Sequence, residues 1–361
     1  MVGGGVVGLA TTAALLDSGA GLAGPDVTCF EAVAPMSQRS TGSSRIFRLA
    51  HTDPVLVESA CRARETYRRW SAEFGRELVS DMGAVGAVGA GGTVGAVIAG
   101  ADVARWAAAM AAAGVEHEIR ESVDDSLALP TKAIDGPCLL DPAGGVIDAA
   151  GVGEFLAART SAATVLELVY RIEEVPGGAL VWTPGGSRRF DVVVVAAGAG
   201  TCQLAAQVGL YTPSVLLHHL RLTFPVRDAA RRPPALIDHS ESWRPGFTTY
   251  QHLTAPGRWA VGAHFDPAEL AWELGRERVV ERSRRLTAEY VRENLVGIED
   301  RPVDELYCNV TGGWEDGYGV VRTAGVIAVY GDNLFKLAPV IGRALAAAAL
   351  DGSLPESTLT H

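Results

Sequence analysis

The sequence is almost without lysine: Lys132 and Lys336 are its only two among 31 basic residues. Cysteine is scarce as well. The five (Cys29, Cys61, Cys138, Cys202 and Cys308) are scattered, odd in number and never spaced Cys-x-x-Cys. That arrangement argues against a disulfide framework and against a zinc site, and a reducing cytoplasm is the expected setting. An excess of positive charge is also missing. A net charge of −11 disfavours nucleic acid and anionic membrane as partners, because both need basic patches. No apolar run reads as a membrane span or a signal peptide. The Ala/Gly/Val-rich stretch 83–101 comes nearest, but its glycines break helix and strand alike and suit a soluble hairpin better. Internal repeats and low-complexity linkers are absent. What remains is a soluble composition, 48% hydrophobic and 20% charged, in 361 residues, long enough for two interleaved domains.

The most informative segment that is present comes first: Gly3-Gly4-Gly5-Val6-Val7-Gly8, followed by the apolar helical run 9–16. A Gly-x-Gly-x-x-Gly turn opening a helix is the dinucleotide-binding signature. Its first glycine permits the tight turn, its second lets backbone N–H groups approach a pyrophosphate, and its third lets helix and strand pack closely. The next strand, 27–31, ends in Glu31, where a carboxylate can accept hydrogen bonds from a ribose. An acid there favours an unphosphorylated ribose. Only Met1 and Val2 precede Gly3, where a strand of about five residues is usual. The reading therefore expects a longer native N-terminus or a start placed too late. The fingerprint by itself serves a flavin or a nicotinamide dinucleotide equally well, so a nicotinamide-dependent dehydrogenase remains open.

Along the chain, apolar spacing and i,i+4 charges predict a helix over 55–74, and short strands alternate with helices from 78 to 119. A helix is expected at 149–159 and strands at 164–170 and 179–182. The run 190–200 reads as a buried parallel strand ending in a Gly-rich turn. Several strands and one long charged helix, 266–293, fill 216–304. A strand at 325–331 and a helix at 339–350, with Pro339 near its start, close the chain. The fold class expected is α/β with an α+β second domain. A Rossmann-like nucleotide domain (1–75, 145–215 and 305–361) is interleaved with a mainly antiparallel-sheet substrate domain (76–144 and 216–304).

Further segments are more specific: Ser43-Ser44-Arg45-Ile46-Phe47-Arg48, the 193–200 strand and turn, Tyr307-Cys308, and Phe335-Lys336 before the last helix. With the glycine turn, they resemble the D-amino-acid oxidase/glycine oxidase (DAO) superfamily of FAD-dependent oxidoreductases over nearly the whole chain. Its monomeric sarcosine oxidase branch is the most similar. The resemblance implies FAD as cofactor, held by Gly3, Gly5, Gly8, Glu31, Ser43, Ser44, Arg45, Ile172, Gly198, Cys308, Asn333 and Lys336. It implies Cys308 as the point of covalent flavin attachment, because sarcosine oxidases carry an attaching cysteine with an aromatic residue ten positions later, here Tyr318. The plainer alternative for Cys308 is a small buried apolar side chain. The resemblance also implies that Arg48 and Lys336 hold a substrate carboxylate, which suits a guanidinium fork beside a compact ammonium. Surface ion pairs are the alternative for both. His264 matches a family histidine near the substrate amine, with a structural histidine equally in view. The N-terminus of the helix near Pro339 would favour negative charge on the flavin.

Several positions depart from the family. Sarcosine oxidases place a lysine over the flavin four residues before the histidine, and Ala260 stands there in this chain. Arg258, two residues earlier, is the candidate to replace that charge. Val310 stands at a position usually aromatic, and Asn333 replaces a histidine. These changes imply a substrate bulkier than sarcosine, such as an amino-acid unit of specialised metabolism. The activity expected is oxidation of a carboxylate-bearing amine to an imine, with O2 as acceptor, in a monomer or homodimer. Two flavin alternatives stand beside it: a dehydrogenase using another acceptor, and a non-catalytic binding protein.

Overall fold

The computed structural model describes residues 1–19, 25–80, 95–100, 102–213, 215–230, 232–312 and 317–353. Most of the glycine-rich 83–101 stretch lies outside the described residues.

At the start of the chain a single residue takes the place of a central strand. Val2 bridges in parallel to both Phe30 and Val195, and its N–H donates to Val194 O at 2.9 Å. On one side of it Cys29–Glu31 pairs in parallel with Thr164–Leu166. On the other, Val193–Val195 pairs in parallel with Val326–Asp332, which is covered in turn by Gly317–Arg322 running antiparallel. Val193–Val195 and residues 326–329 opposite them are apolar and buried, as suits a strand pair covered on both faces. The expected strand 190–200 is shorter than its apolar run suggests. Gly186–Phe190 turns back on Gly178–Thr183 in a separate three-stranded sheet, and only Val193–Val195 enters the parallel one. Gly186, at φ +118°, makes that reversal, and the exposed Arg188 and Arg189 keep the strand out of the core.

The helices are, in chain order, α1 (Val6–Ser18), α2 (Pro54–Phe74), α3 (Val103–Ala112), α4 (Ala149–Thr160), α5 (Thr201–Ala206), α6 (Pro267–Leu270), α7 (Arg276–Asn294) and α8 (Ala338–Asp351). Helix α1 crosses α8 so closely that a Cβ on Gly342 would lie 2.7 Å from the Ala10 carbonyl carbon. Between them in sequence lies the helix Pro54–Phe74, which starts where expected: Asp53 caps it by accepting from Val55 N–H, Pro54 fills the first turn, and Gly75 closes it at φ +70°. Asp148 likewise caps Ala149–Thr160.

The second half is an eight-stranded sheet. Its order is Asp304–Gly312, Val215–Pro225, Arg258–His264, Thr248–Ala255, Ala235–His239, Ala96–Gly100, Ile134–Asp141 and Glu118–Val123. Every pairing is antiparallel except Ala235–His239 with Ala96–Gly100. The expected division at 304/305 falls at the start of Asp304–Gly312, which runs the length of Val215–Pro225. One face of the sheet presents Leu220, Leu222, Phe224, Trp259 and Val261 to Val279, Leu286 and Tyr290 of the helix Arg276–Asn294. The expected 266–293 helix is therefore broken. Asp266 caps a four-residue helix, Pro267–Leu270, Ala271 is extended, and Gly275 at φ +81° resets the chain before Arg276. Charge periodicity continues across the break, which is why the sequence reads as one helix. The α/β and antiparallel-sheet architecture is that expected.

Candidate active site

The glycine turn is held by contacts that leave no room for side chains. Gly3 sits at φ +105°, and a Cβ there would lie 2.4 Å from Ala196 O; one on Gly8 would lie 1.9 Å from Gly3 O. Such a cradle admits backbone close to a ligand, as a pyrophosphate requires. Gly5 is the N-cap of α1, which has no capping side chain of its own, while Ser40 Oγ accepts from Val6 N–H at 3.0 Å. Glu31 accepts from Gly4 N–H at 2.7 Å and from Val33 N–H at 3.0 Å. Two donors fix its carboxylate at the strand end and leave lone pairs for ribose hydroxyls. Gly198 turns at φ +57° after Val195, with open space where a Cβ would be. Ile172 joins Val2 and Phe30 in a buried cluster, and its N–H donates to Gln207 Oε1 at 2.8 Å.

Ser44–Phe47, paired with Gly145–Asp148, carries the serine-arginine segment from this turn to the large sheet. Ser43 is exposed and Ser44 buried. The sheet face opposite the long helix is built by register. His219 pairs with Cys308, Arg221 with Gly262, Tyr250 with Gly262, His252 with Ala260, and Thr248 with His264, so these side chains share one face. A Cβ on Gly262 would meet Tyr250 Cζ at 2.2 Å, so glycine there lets the tyrosine ring lie across the strand. Tyr250 stacks on His219 with centroids 5.6 Å apart, and His264 lies 5.1 Å from His219. The Cys308 thiol sits 3.6 Å from His219 Nδ1.

This face is cationic. Arg221 donates to Ser44 O at 3.0 Å, Arg45 donates to the same oxygen at 2.7 Å, and the His252 ring bonds Ser44 Oγ at 3.0 Å. Arg45 also lies over the Phe335 ring, 5.6 Å from its centroid. Arg39 pairs with Asp332. Burial lowers the pKa of Arg45, and Arg221 beside it lowers it further. Burial likewise holds His219 and His252 well below the usual histidine range, aided by the same arginines. His264, reached by solvent yet closely surrounded by protein, is lowered by that enclosure and partly restored by Asp332. Burial pushes the Cys308 thiol up, and Arg45, Arg39 and Arg221 pull it partway back.

Of the other expected residues, Lys336 is buried, 5% exposed, in the turn entering α8. Phe335 beside it accepts from Tyr67 Oη at 2.7 Å through its carbonyl. Asn333 precedes it at φ +53°, a left-handed conformation that asparagine tolerates. Arg48 donates to Ala50 O. It also offsets the charge of Asp141, whose pKa burial raises and three backbone N–H groups pull back. Arg258 is not brought to this cluster. It is exposed at the opposite end of Arg258–His264 and pairs with Pro225 at the hairpin, six residues from His264 or about 20 Å along a strand. Even spacing put both on one face but said nothing of distance along it. Sequence reasoning missed His219, Arg221, Tyr250 and His252. The signal was available: polar side chains at 219, 221 and 223 alternate with Leu220, Leu222 and Phe224.

A family model described as FAD dependent oxidoreductase (DAO) matches residues 1–348. The chain belongs to the DAO family. The cofactor is thus FAD, and the nicotinamide reading of the glycine turn falls away. Solved DAO-fold structures align over nearly the full length. NikD, an unusual amino acid oxidase essential for nikkomycin biosynthesis, superposes in its open form with TM-score 0.78 at 20% identity, covering 99% of this chain and 97% of its own. L-Proline dehydrogenase from P. horikoshii gives 0.73 at 16% identity, covering 98% and 93%. Glycine oxidase from Geobacillus kaustophilus gives 0.70 at 16%, covering 99% and 95%. No curated protein sequence matches the chain. This DAO chain is therefore an FAD-dependent oxidoreductase, related in fold to enzymes acting on amino acids and amines.

Proposed function

We propose that the enzyme oxidises a carboxylate-bearing amine, a secondary amine or amino acid bulkier than sarcosine, to its imine, with O2 as acceptor. The observation that carries this reading is Lys336, an ammonium with 5% exposure at the turn into α8. Lysine is almost never buried so far unless it is paired, and a substrate carboxylate can be one such partner. FAD, when bound, would supply the acceptor for the hydride on the carbon next to nitrogen. The residues of the chain do the rest. Lys336 and Arg48 bind the carboxylate and orient that carbon. His264, its pKa below the ordinary histidine range, stands neutral at pH 7 and can accept a hydrogen bond from the amine. The α8 N-terminus has no capping side chain and no acid in its first turn, so its N–H dipoles favour negative charge in front of it. Cys308, on the same face, is the candidate attachment point, which agrees with its place beside His219.

A dehydrogenase using another acceptor is the second reading, favoured by one observation. Ala260 is fully buried and Arg258 lies at the far end of its strand, so neither supplies a cation there. Stopped-flow comparison of O2 with an artificial acceptor separates the two. For the substrate reading, Lys336→Met and Arg48→Met in flavin-loaded protein should each raise KM for carboxylate-bearing amines by roughly 10- to 100-fold, as for a lost charged hydrogen bond. Unchanged KM values would refute the carboxylate clamp.

A further inference from the structure

The two arms of the proposed carboxylate clamp, Arg48 and Lys336, come from opposite ends of the chain, and α2 touches the segment that carries each. Its Tyr67 is fully buried and donates its one O–H to Phe335 O at 2.7 Å. Lys336 is the next residue. Leu337 N–H donates to Leu334 O at 3.1 Å and Ala338 N–H to Phe335 O at 3.3 Å, so the turn that presents Lys336 is held from within by two bonds, the second of them long. The Tyr67 bond is shorter than either and reaches the turn from another helix. Burial pushes the Tyr67 phenol well above its ordinary pKa, so it stays protonated and remains a donor. The ring of the same residue meets Phe47 edge to face, with centroids 6.1 Å apart, and Phe47 precedes Arg48. Trp70 also meets it edge to face, at 5.4 Å. One residue earlier, Thr66 Oγ1 accepts from Arg343 of α8 at 3.0 Å, which fixes α2 against α8 beside the tyrosine.

We propose that Tyr67 is a positioning residue for the substrate: through Phe335 O and the Phe47 ring it sets the separation of Lys336 and Arg48, and so how well the two cations grip one carboxylate. This role rests on the carboxylate clamp proposed above, which it deepens. The hydroxyl acts through Lys336 and has no contact with the substrate itself. Without it, the buried Phe335 carbonyl keeps only the long bond within its own turn. The turn into α8 then loses its outer anchor, and the ammonium no longer meets the carboxylate in one fixed geometry.

The test is a double-mutant cycle in flavin-loaded protein, read as KM for bulky N-methyl amino acids. Tyr67→Phe keeps the ring and removes the hydroxyl, and should raise KM about 3- to 10-fold, as for a lost neutral hydrogen bond. In a Lys336→Met background the same change should raise KM no further, because Tyr67 acts through that ammonium. A residue that only supports the fold would instead add its effect in both backgrounds. Should Tyr67→Phe fail to fold, Phe47→Leu asks the same of the other arm: it should raise KM in the same range, and not further in Arg48→Met. An unchanged KM in Tyr67→Phe at full flavin loading, or an equal rise in the Lys336→Met background, would overturn the positioning role alone. An unchanged KM in Lys336→Met, or a wild type that oxidises none of these amines, would overturn the clamp and the positioning role together.

Discussion

His219 and His252 are buried, and burial chiefly holds both well below the usual histidine pKa, with the arginines adding to it. In the unfolded chain each protonates near pH 6.5, whereas in the folded chain each stays neutral until the pH is much lower. The folded state thus binds fewer protons in that window. Their contribution is complete above pH 6.5 and is lost as pH falls below it, by up to about 1.4 kcal/mol per pH unit for each histidine. Thermal denaturation from pH 7.5 to 5 should show Tm falling from about pH 6.5 downward, and a His219→Gln/His252→Gln variant should flatten that fall. An identical slope in the variant would show that these histidines charge freely when folded. Neither was legible in the sequence, because a histidine carries no local signature and its neutrality here comes from residues far away along the chain. Glu31 and Lys336 stood out in the sequence as candidates: one ends a strand at a fixed distance from a glycine turn, and the other is one of only two lysines.

Strand register, more than any motif, assembles the site, and Gly262 is the position on which it turns. A Cβ there would lie 2.2 Å from Tyr250 Cζ and would push the ring out of its stack on His219. Gly262→Val should destabilise by about 1–3 kcal/mol, as overpacking does, and calorimetry would register it as a lowered Tm. Gly342→Leu should do comparable harm by forcing α8 off Ala10. Wild-type stability in either variant would mean that the close approach relaxes without cost. Elements with strong ends were legible: Asp53, Pro54 and Gly75 bound the helix Pro54–Phe74 almost where periodicity put it. The break before Arg276 was not, since one glycine at φ +81° overrides a charge pattern that runs on across it. Arg258 misled for the converse reason. Alternation places residues on a face, and only pairing with Pro225 shows which end of the strand they occupy.

At the scale of the whole molecule, the parallel sheet that carries the glycine turn and the large sheet that carries the cationic face are joined by Ser44–Phe47, Asp304–Gly312 and the turn before α8. FAD spanning from Glu31 to Cys308 would bridge both halves. Cofactor binding should therefore raise Tm, by linkage worth about 2.7 kcal/mol at a hundredfold excess over Kd. Gly3→Val should abolish that rise, because its Cβ would meet Ala196 O. The overall architecture was legible because the glycine fingerprint and the later apolar strands return to one nucleotide-binding core. The substrate was not, since its pocket is assembled from segments distant in sequence. The proposed oxidation at the carbon next to nitrogen depends on holding the amine by its carboxylate. The most direct measurement is anaerobic titration of the flavin-loaded protein with bulky N-methyl amino acids and their decarboxylated counterparts, followed by flavin absorbance. Bleaching is expected with the carboxylate-bearing member of a pair and none with its counterpart. Equal bleaching by both, or by the decarboxylated amine alone, would contradict it.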